Sequence, residues 1–310
     1  MDSTIVIGHI NPDADTVCSA ITMAWVLNQR DMTATPYRTG ELNKETAFVL
    51  EHFGQTVPEL LTSFPEGATY CLVDTNNPEE LLPGFEKAKL VGLVDHHKLV
   101  GGLSTSEPLR VLMEPVGCTA TLVYHLATVR FSLEVPKEIG QLMLACIISD
   151  TQNLTSPTTT PEDKRVAEEL IKLTGVNPDE LAEAMFSAKS DLTGLSPRDI
   201  LMMDSKVFAV GAKKVRVSVL ETLKPANALN MRVDLQAAME DMKTEDGLDA
   251  AFLFVVDIVK ASAELIVPSQ TEKEIAGKAF SIPFTGDTLT LPGVVSRKKQ
   301  MIPPLEAALA

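Results

Sequence analysis

The stretch GHINPDAD, residues 8–15, decides how the first half of the chain is interpreted. It follows the apolar run 4–7, which predicts a strand, and it precedes a segment whose apolar residues recur at helical spacing. In an open α/β sheet, ligands bind in the crevice at the carboxyl ends of the strands. A polar loop at this point that carries one histidine and two aspartates therefore predicts a binding loop.

Three further polar clusters follow apolar segments: DTNN at 74–77, DHH at 95–97 and SDT at 149–151. The first two end predicted strands, and the third follows the apolar run of a predicted helix. Since the carboxyl ends of parallel strands face one crevice, we expect the four clusters to converge in space.

The alternation of strands and helices predicts an α/β fold with a doubly wound, mostly parallel sheet in the N-terminal domain. A smaller α+β domain with a mixed or antiparallel sheet should follow, with the active site in the cleft between the two. The expected boundaries are 1–187 for the first domain, 188–195 for a hinge linker and 196–310 for the second domain. Within the first domain, strands are predicted at 70–73, 90–94 and 110–113, and helices at 118–129, 137–148, 162–173 and 179–186. Within the second, a hairpin is predicted at 207–220, a helix at 234–242 and two long strands over 251–267.

Composition narrows the class of protein. The 310 residues are 45% hydrophobic and 22% charged, with a formal net charge of −15. This balance predicts a globular protein that repels nucleic acid and anionic membranes. The four cysteines lie in apolar runs without CxxC spacing, and neither a secretory signal nor a membrane span is evident. We therefore expect a cytoplasmic protein with buried, reduced thiols.

The clusters bring together five carboxylates and three histidines, at His9, Asp13, Asp15, Asp74, Asp95, His96, His97 and Asp150. So many carboxylates repel one another strongly unless cations neutralise them. Asp and His together suit Mn²⁺, Co²⁺, Fe²⁺ or Zn²⁺. Two metals bridged by a carboxylate could serve phosphoryl transfer.

Simpler interpretations exist for the individual residues. Asp13 or Asp15 could cap the following helix, and Asp74 could be a turn residue. His52 and His125, at the end of one helical pattern and inside another, are assigned to structure. Late in the chain, SRKKQ at 296–300 could be a solvated basic patch and Lys206 a surface lysine. Opposite a dimetal site, these cations would instead complete a cage around a compact polyanion.

The set GHxNPDxD, DHH, SDT and SRKKQ, which spans residues 8–300, resembles the family II inorganic pyrophosphatases of the DHH phosphoesterase superfamily. The resemblance implies hydrolysis of pyrophosphate to two phosphates by a hydroxide bridging two Mn²⁺ or Co²⁺ ions per subunit. It also implies a further Mg²⁺ or Mn²⁺ that arrives with the substrate, and a homodimer formed through the N-terminal domain.

The resemblance further implies a role for each site residue. Asp74 would bridge the metals, and Asp95 would orient the DHH histidines. His97 would contact the substrate, and the phosphates would be held by Lys206, Arg297 and Lys298. The implied metal ligands are His9, Asp13, Asp15, Asp74, His96 and Asp150.

One departure from the family pattern lies at 74–77, where some members carry Asp-His-Asn-Glu and this chain has Asp-Thr-Asn-Asn. Thr75 and Asn77 put the metal preference and affinity in question, not the reaction. Two alternatives remain open. Another DHH phosphoesterase would act on polyphosphate, short oligonucleotides or cyclic dinucleotides, but the GGGH-type motif of nucleic-acid-processing relatives is missing from the sequence. A metal-dependent binding module would need neither His97 nor the basic cluster.

Overall fold

The computed structural model describes residues 3–211 and 213–309. The chain divides into two compact units, Met1–Met185 and Phe186–Ala310. The division lies within a helix that runs from Pro178 to Lys189. We refer to the two units as the first and the second domain.

The first domain is built from parallel strands and the helices that connect them. Its strands are β1 Thr4–Ile7, β2 Ala34–Arg38, β3 Glu59–Leu60, β4 Thr69–Val73, β5 Lys89–Asp95 and β6 Arg110–Met113. Its helices are α1 Ala14–Asn28, α2 Lys44–His52, α3 Thr119–His125, α4 Lys137–Asp150, α5 Pro161–Thr174 and α6 Pro178–Lys189. Short helical turns are Pro78–Glu80, Phe85–Lys87 and the π-helical Leu126–Arg130.

The six strands form one sheet in the order β3-β2-β1-β4-β5-β6, with every pair parallel. The chain moves outward from β1 to β3 and then returns to the other side of β1 with β4. This reversal between β1 and β4 is the switch point at which doubly wound sheets bind ligands. The predicted doubly wound α/β fold is therefore confirmed.

Burial explains why these segments form the sheet and its cover. All four residues of β1 are buried, as expected for a parallel strand covered on both faces. Helix α1 packs against α4 and α3 and against strands β1, β2 and β4. A cluster that includes Ile7, Tyr70 and Leu72 fills one face of the sheet. The ends of the central strands are thus held between two packed layers.

The sequence did not predict β2 and β3. Pro36 lies inside β2 and cannot donate a ladder hydrogen bond, which weakens the strand signal. Strand β3 has two exposed residues and pairs with Tyr37 and Arg38, just beyond that proline. The predicted helix 118–129 is also shorter, because α3 changes to the π-helical turn after His125.

The second domain has a five-stranded sheet in the order β11-β10-β9-β8-β7, in which β8 and β9 are parallel and the other pairs antiparallel. Its strands are β7 Ser205–Val210, β8 Lys213–Thr222, β9 Ala250–Asp257, β10 Ser262–Ile266 and β11 Leu289–Pro292. Its helices are α7 Pro197–Met202, α8 Pro225–Asn230, α9 Arg232–Asp246, α10 Gln270–Phe280 and α11 Ile302–Leu309, with a π-helical turn at Arg297–Met301. The mixed sheet and the antiparallel pairing of β7 with β8 are as predicted. Ala212, which the sequence places between these two strands, lies outside the described residues.

Strand β9 organises the core of the second domain because all eight of its residues are buried. Phe252 and Phe254 belong to one apolar cluster, which also contains residues of α10 and α11. Leu253 and Val255 belong to another cluster, with residues of α7 and α9. The alternating side chains of one strand thus join two helical layers.

The sequence also predicted buried, reduced cysteines and no membrane-spanning helix. All four cysteines are free and buried. Within 3–211 and 213–309, no helix has the length and apolar character needed to cross a membrane.

Truncating Phe254, which is fully buried and in edge contact with Phe280, should destabilise the protein. We expect Phe254→Ala to lower the free energy of unfolding by about 3–5 kcal/mol, because it removes a large core side chain and leaves a cavity. Urea denaturation followed by circular dichroism measures this. The exposed Val259 on the loop after β9 provides the control, since Val259→Ala should change the free energy by less than about 0.5 kcal/mol. Equal effects of the two substitutions would contradict the assignment of β9 as the core strand.

Candidate metal centre

The loop after β1 packs closely against helix α1 and the end of β4. A Cβ on Gly8 would lie 2.6 Å from Thr16 Cγ2 and 2.9 Å from the Val73 carbonyl oxygen, so glycine is required at this position. The loop then reaches Asp13, which caps α1 by accepting from the Thr16 amide at 2.9 Å. Its other oxygen, Oδ2, lies 3.7 Å from His9 Nε2. Asp13 therefore caps the helix through Oδ1, and its Oδ2 lies beside His9, where the proposed metal ligands are expected.

Asp74 lies between two histidines at the end of β4. Its Oδ2 is 3.4 Å from His9 Nε2, and its Oδ1 is 3.5 Å from His96 Nε2. Hydroxyl groups fix the same carboxylate, since Thr16 donates to Oδ2 at 2.7 Å and Thr119 to Oδ1 at 3.1 Å. The backbone of Asp74 has a φ of 60°, in the left-handed region that costs free energy for a residue other than glycine. Such strain persists where surrounding contacts fix the residue, as they do here.

Backbone carbonyl groups orient the two histidines. His9 Nδ1 is 2.8 Å from the Ile10 oxygen, and His96 Nδ1 is 3.1 Å from the Val116 oxygen. A hydrogen bond from Nδ1–H to a carbonyl fixes the tautomer and presents the Nε2 lone pair to the carboxylates. This is the arrangement of metal-binding histidines in proteins.

Asp15 and Asp150 complete the cluster on the side of His96. Asp15 is buried and accepts from the Ser19 hydroxyl at 2.6 Å and from the Thr119 amide at 2.7 Å. Asp150 ends α4, with Oδ2 3.9 Å from His96 Nε2. Among residues 3–211 and 213–309, three groups have candidate ligand atoms within 4.8 Å of one another: His9, Asp13 and Asp74; Asp74, His96 and His97; and Asp15, His96 and Asp150.

The charges of this cluster suit cations. Burial, followed by the charge of Asp74, raises the pKa of Asp15 to about 6. Burial and the charges of Asp15, Asp13 and Asp74 raise the pKa of Asp150 well above its usual value. Neighbouring carboxyl groups repel one another when all of them are ionised. Divalent cations between them offset this repulsion and stabilise the ionised form. The donor set, all carboxylate oxygen and imidazole nitrogen, fits Mn²⁺ or a similar ion.

His97 is held differently from His96. Its Nδ1 is 2.9 Å from Asp95 Oδ1, which also accepts from the His97 amide at 3.0 Å. Asp95 is fully buried and accepts from Asn76 Nδ2 as well. Asp95 therefore orients the second DHH histidine, whereas Val116 orients the first.

The departure at residues 74–77 leaves a complete hydrogen-bond network. The Thr75 hydroxyl donates to Glu80 at 2.7 Å, and Asn77 caps the turn at 78–80. Asn76 donates to the Lys98 carbonyl and accepts from the Val100 amide, so it ties this loop to the segment after DHH. Sequence reasoning did not identify Asn76 as a positioning residue, although it stands inside the DTNN motif.

In the second domain, the predicted phosphate-binding cations lie on two segments. Lys206 is in β7, and Arg297 and Lys298 begin the π-helical turn. Arg297 Nη1 lies 2.6 Å from Asp204 Oδ1. Asp204 therefore ties Arg297 to the residues next to Lys206. The side chain of Arg297 is 18% exposed, which is less than a solvated patch would show.

The remaining two histidines have structural contacts. His52 ends α2 and stacks on Phe48. His125 contacts Glu162 and Arg165.

Comparison with known proteins gives the family. Residues 3–147 match the DHH family, N-terminal domain, and residues 183–308 match the DHHA2 domain. The manganese-dependent inorganic pyrophosphatase of Bacillus subtilis is 35% identical over 100% of both chains. A protein of Archaeoglobus fulgidus assigned to the same activity is 40% identical over 98% of each chain. The chain belongs to the manganese-dependent, family II inorganic pyrophosphatases.

A solved structure agrees with this assignment. The Methanococcus jannaschii protein assigned as a family II inorganic pyrophosphatase superposes with a TM-score of 0.86 at 36% sequence identity, over 98% of both chains. The resemblance inferred from the sequence and the assignment to the inorganic pyrophosphatase class are therefore confirmed.

The raised pKa values of Asp15 and Asp150 make the stability of the metal-free pyrophosphatase depend on pH. Both carboxyls bind a proton more readily in the folded than in the unfolded state, so their stabilising contribution is complete below about pH 4. It is lost as the pH rises through the folded pKa of Asp15, at about 6. We expect the free energy of unfolding of the metal-free protein to fall by about 2 kcal/mol between about pH 4.5 and about pH 7. Added Mn²⁺ should raise it again at the higher pH.

Urea denaturation at the two pH values measures this loss. Asp150→Asn provides the comparison, because an uncharged amide removes one of the two titrating groups and part of the repulsion, so the loss should shrink. Stability that rises with pH in the metal-free protein would contradict the expectation.

Proposed function

We propose that this chain hydrolyses inorganic pyrophosphate to two phosphates in a reaction that depends on divalent metal ions. The observation that carries the proposal is the carboxylate of Asp74, placed between His9 and His96 at the switch point of the sheet. The full-length similarity to manganese-dependent inorganic pyrophosphatases supports pyrophosphate as the substrate.

The residues present fit two cations. His9, Asp13 and one oxygen of Asp74 would hold the first, and Asp15, His96 and Asp150 would hold the second with the other oxygen of Asp74. Once bound, the two ions would make a water molecule nucleophilic at neutral pH and neutralise charge on the phosphates. Mn²⁺ is the expected ion from the family; Co²⁺, and a further Mg²⁺ or Mn²⁺ that enters with the substrate, belong to the same proposal.

The chain's own side chains would bind and orient the substrate. His97 Nδ1 would donate a hydrogen bond to Asp95 Oδ1, which leaves Nε2 on the other side of the ring. When the ring carries both protons, Nε2–H would donate to a phosphate oxygen. Arg297 offers a planar fork for phosphate oxygens, and Lys206 and Lys298 offer point charges. These three cations would stabilise the negative charge that develops on the phosphoryl oxygens.

Because the proposed metal ligands and the cations belong to different domains, we also propose that residues 188–195 act as a hinge. Closure would bring the second domain onto the bound pyrophosphate and exclude bulk water. The protein is further proposed to act in the cytoplasm as a homodimer formed through the first domain. The buried free thiols are consistent with a reducing compartment.

Phosphate release from pyrophosphate by metal-stripped protein, with and without Mn²⁺, tests the activity. We expect Mn²⁺-dependent release in the wild type and a loss of about 10²- to 10⁴-fold in kcat for His97→Ala with Mn²⁺ binding retained, because a positioned proton donor is removed. His52→Ala, at an exposed histidine of the same domain, serves as the control and should leave kcat unchanged.

Polyphosphate and a short oligonucleotide are assayed beside pyrophosphate. Preferential turnover of either would assign the dimetal site to another phosphoesterase activity. Mn²⁺ binding without turnover of any of the three would favour the binding-module alternative.

Domain closure has its own measurement. Small-angle X-ray scattering should show a smaller radius of gyration with Mn²⁺ and imidodiphosphate, a slowly hydrolysed pyrophosphate analogue, than with Mn²⁺ alone. Lys298→Ala removes one proposed phosphate contact and should reduce the change. An unchanged radius in the wild type, with the analogue shown to be bound, would reject the hinge.

A further inference from the structure

The segment from Val116 to Thr121, which comprises the loop before α3 and the first residues of α3, contacts three of the proposed metal ligands. The Val116 carbonyl binds His96 Nδ1 at 3.1 Å. Thr119 donates its amide to Asp15 at 2.7 Å and its hydroxyl to Asp74 at 3.1 Å. A shift of this short segment would therefore move ligands in both halves of the centre together.

Asp163, in the first turn of α5, accepts hydrogen bonds from that segment. Its Oδ2 accepts from the Gly117 amide at 2.8 Å, and its Oδ1 accepts from the Thr121 hydroxyl at 2.7 Å. These contacts lie directly after Val116 and on either side of Thr119, the two residues that bind the proposed ligands. Asp163 is fully buried, so solvent does not compete for the bonds. A buried carboxylate that accepts two hydrogen bonds from one segment fixes the position of that segment.

The same carboxylate also caps α5. Thr160 donates to Oδ2 from its amide at 2.7 Å and from its hydroxyl at 2.6 Å, and it accepts from the Asp163 amide in return. The capping box anchors Asp163 to a rigid helix terminus. The close approach also explains Gly117, since a Cβ there would lie 2.8 Å from Asp163 Oδ2 and 2.9 Å from Thr151 Cγ2.

We propose that Asp163 is a positioning residue of the metal centre, which sets the geometry of His96, Asp15 and Asp74 through the segment 116–121. Its own hydrogen bonds go to Gly117, Thr121 and Thr160. Side chains that orient metal ligands from outside the coordination sphere typically change metal affinity or activity by about 10- to 100-fold when they are removed. The proposal rests on the metal ligands assigned under the proposed function.

The second domain contains a matched control. Asp199 stands at the same position of a capping box, where the Ser196 amide donates to Oδ2 at 2.9 Å and the Ser196 hydroxyl at 2.6 Å. Asp199 is exposed and caps α7, far along the chain from the proposed ligands. Asp163→Ala and Asp199→Ala therefore remove the same capping interaction, but only the former also removes the contacts to Gly117 and Thr121.

The experiment measures Mn²⁺ binding by equilibrium dialysis and the electron paramagnetic resonance spectrum of the bound Mn²⁺. Both are recorded at a temperature at which circular dichroism shows each variant folded. We expect Asp163→Ala to weaken Mn²⁺ binding about tenfold and to change the spectrum, and Asp199→Ala to change neither. Asp163→Asn should recover most of the affinity, because its amide oxygen can still accept from Gly117 and Thr160. With saturating Mn²⁺, Asp163→Ala should lower kcat about tenfold and leave KM for pyrophosphate within about twofold.

The outcomes separate the two proposals. Absence of Mn²⁺ binding in the wild type would overturn the proposed function. Normal wild-type binding with an unchanged affinity and spectrum in Asp163→Ala would overturn the role of Asp163 alone. If Asp163→Ala does not fold, Thr121→Val tests the role of Asp163 instead. This substitution removes the hydroxyl that donates to Asp163 at nearly constant side-chain volume, and it should weaken Mn²⁺ binding about threefold. An affinity equal to that of the wild type would then reject the role.

Discussion

The mutual repulsion of buried carboxylates around Asp74 is the constraint on which the first domain depends. Asp74 lies in a strained left-handed conformation, and two hydroxyl groups and two histidines surround its side chain. Burial, followed by the charges of neighbouring carboxylates, raises the pKa values of Asp15 and Asp150, so ionising this cluster without cations costs free energy. Elements that bring these side chains together must therefore be rigid. The parallel sheet, helix α1 with its packing against α3 and α4, and the apolar cluster that includes Ile7 and Leu72 provide that rigidity.

The topology of the sheet brings distant parts of the sequence to one point. Strands β1, β4 and β5 are adjacent in the sheet, and their carboxyl ends carry His9, Asp74 and His96. Asp15 and Asp150 come instead from the two neighbouring helices α1 and α4. The strands supply proposed ligands along one edge of the sheet, and the two helices supply the others. Asp74, which ends β4 beside the switch point, consequently lies between His9 and His96.

The sequence was sufficient for the parts of this arrangement that short motifs encode. Apolar runs followed by GHINPDAD, DTNN and DHH predicted strands β1, β4 and β5 and the side chains that end them. Strand β2 was missed because Pro36 interrupts its pattern, and β3 because two exposed residues carry no periodicity. Asp163 was missed for a different reason: it binds the backbone of Gly117, 46 residues away, and no residue type marks such a contact in the sequence. Contacts to backbone groups, such as that of His96 with Val116, become visible only in three dimensions.

Thr75 and Asn77, which depart from the family pattern, both make hydrogen bonds within their own loop. A threonine hydroxyl can satisfy Glu80, and an asparagine can cap the next turn, so neither position leaves a buried polar group unpaired. Asn76 meanwhile retains the bonds that join the Asp74 loop to Asp95. The support of His97 through Asp95 is thus independent of the two altered residues. Relative to the Asp-His-Asn-Glu pattern, the alteration removes one imidazole and one carboxylate from residues 75–77, while the hydrogen bonds of Thr75, Asn76 and Asn77 hold the loop that follows Asp74.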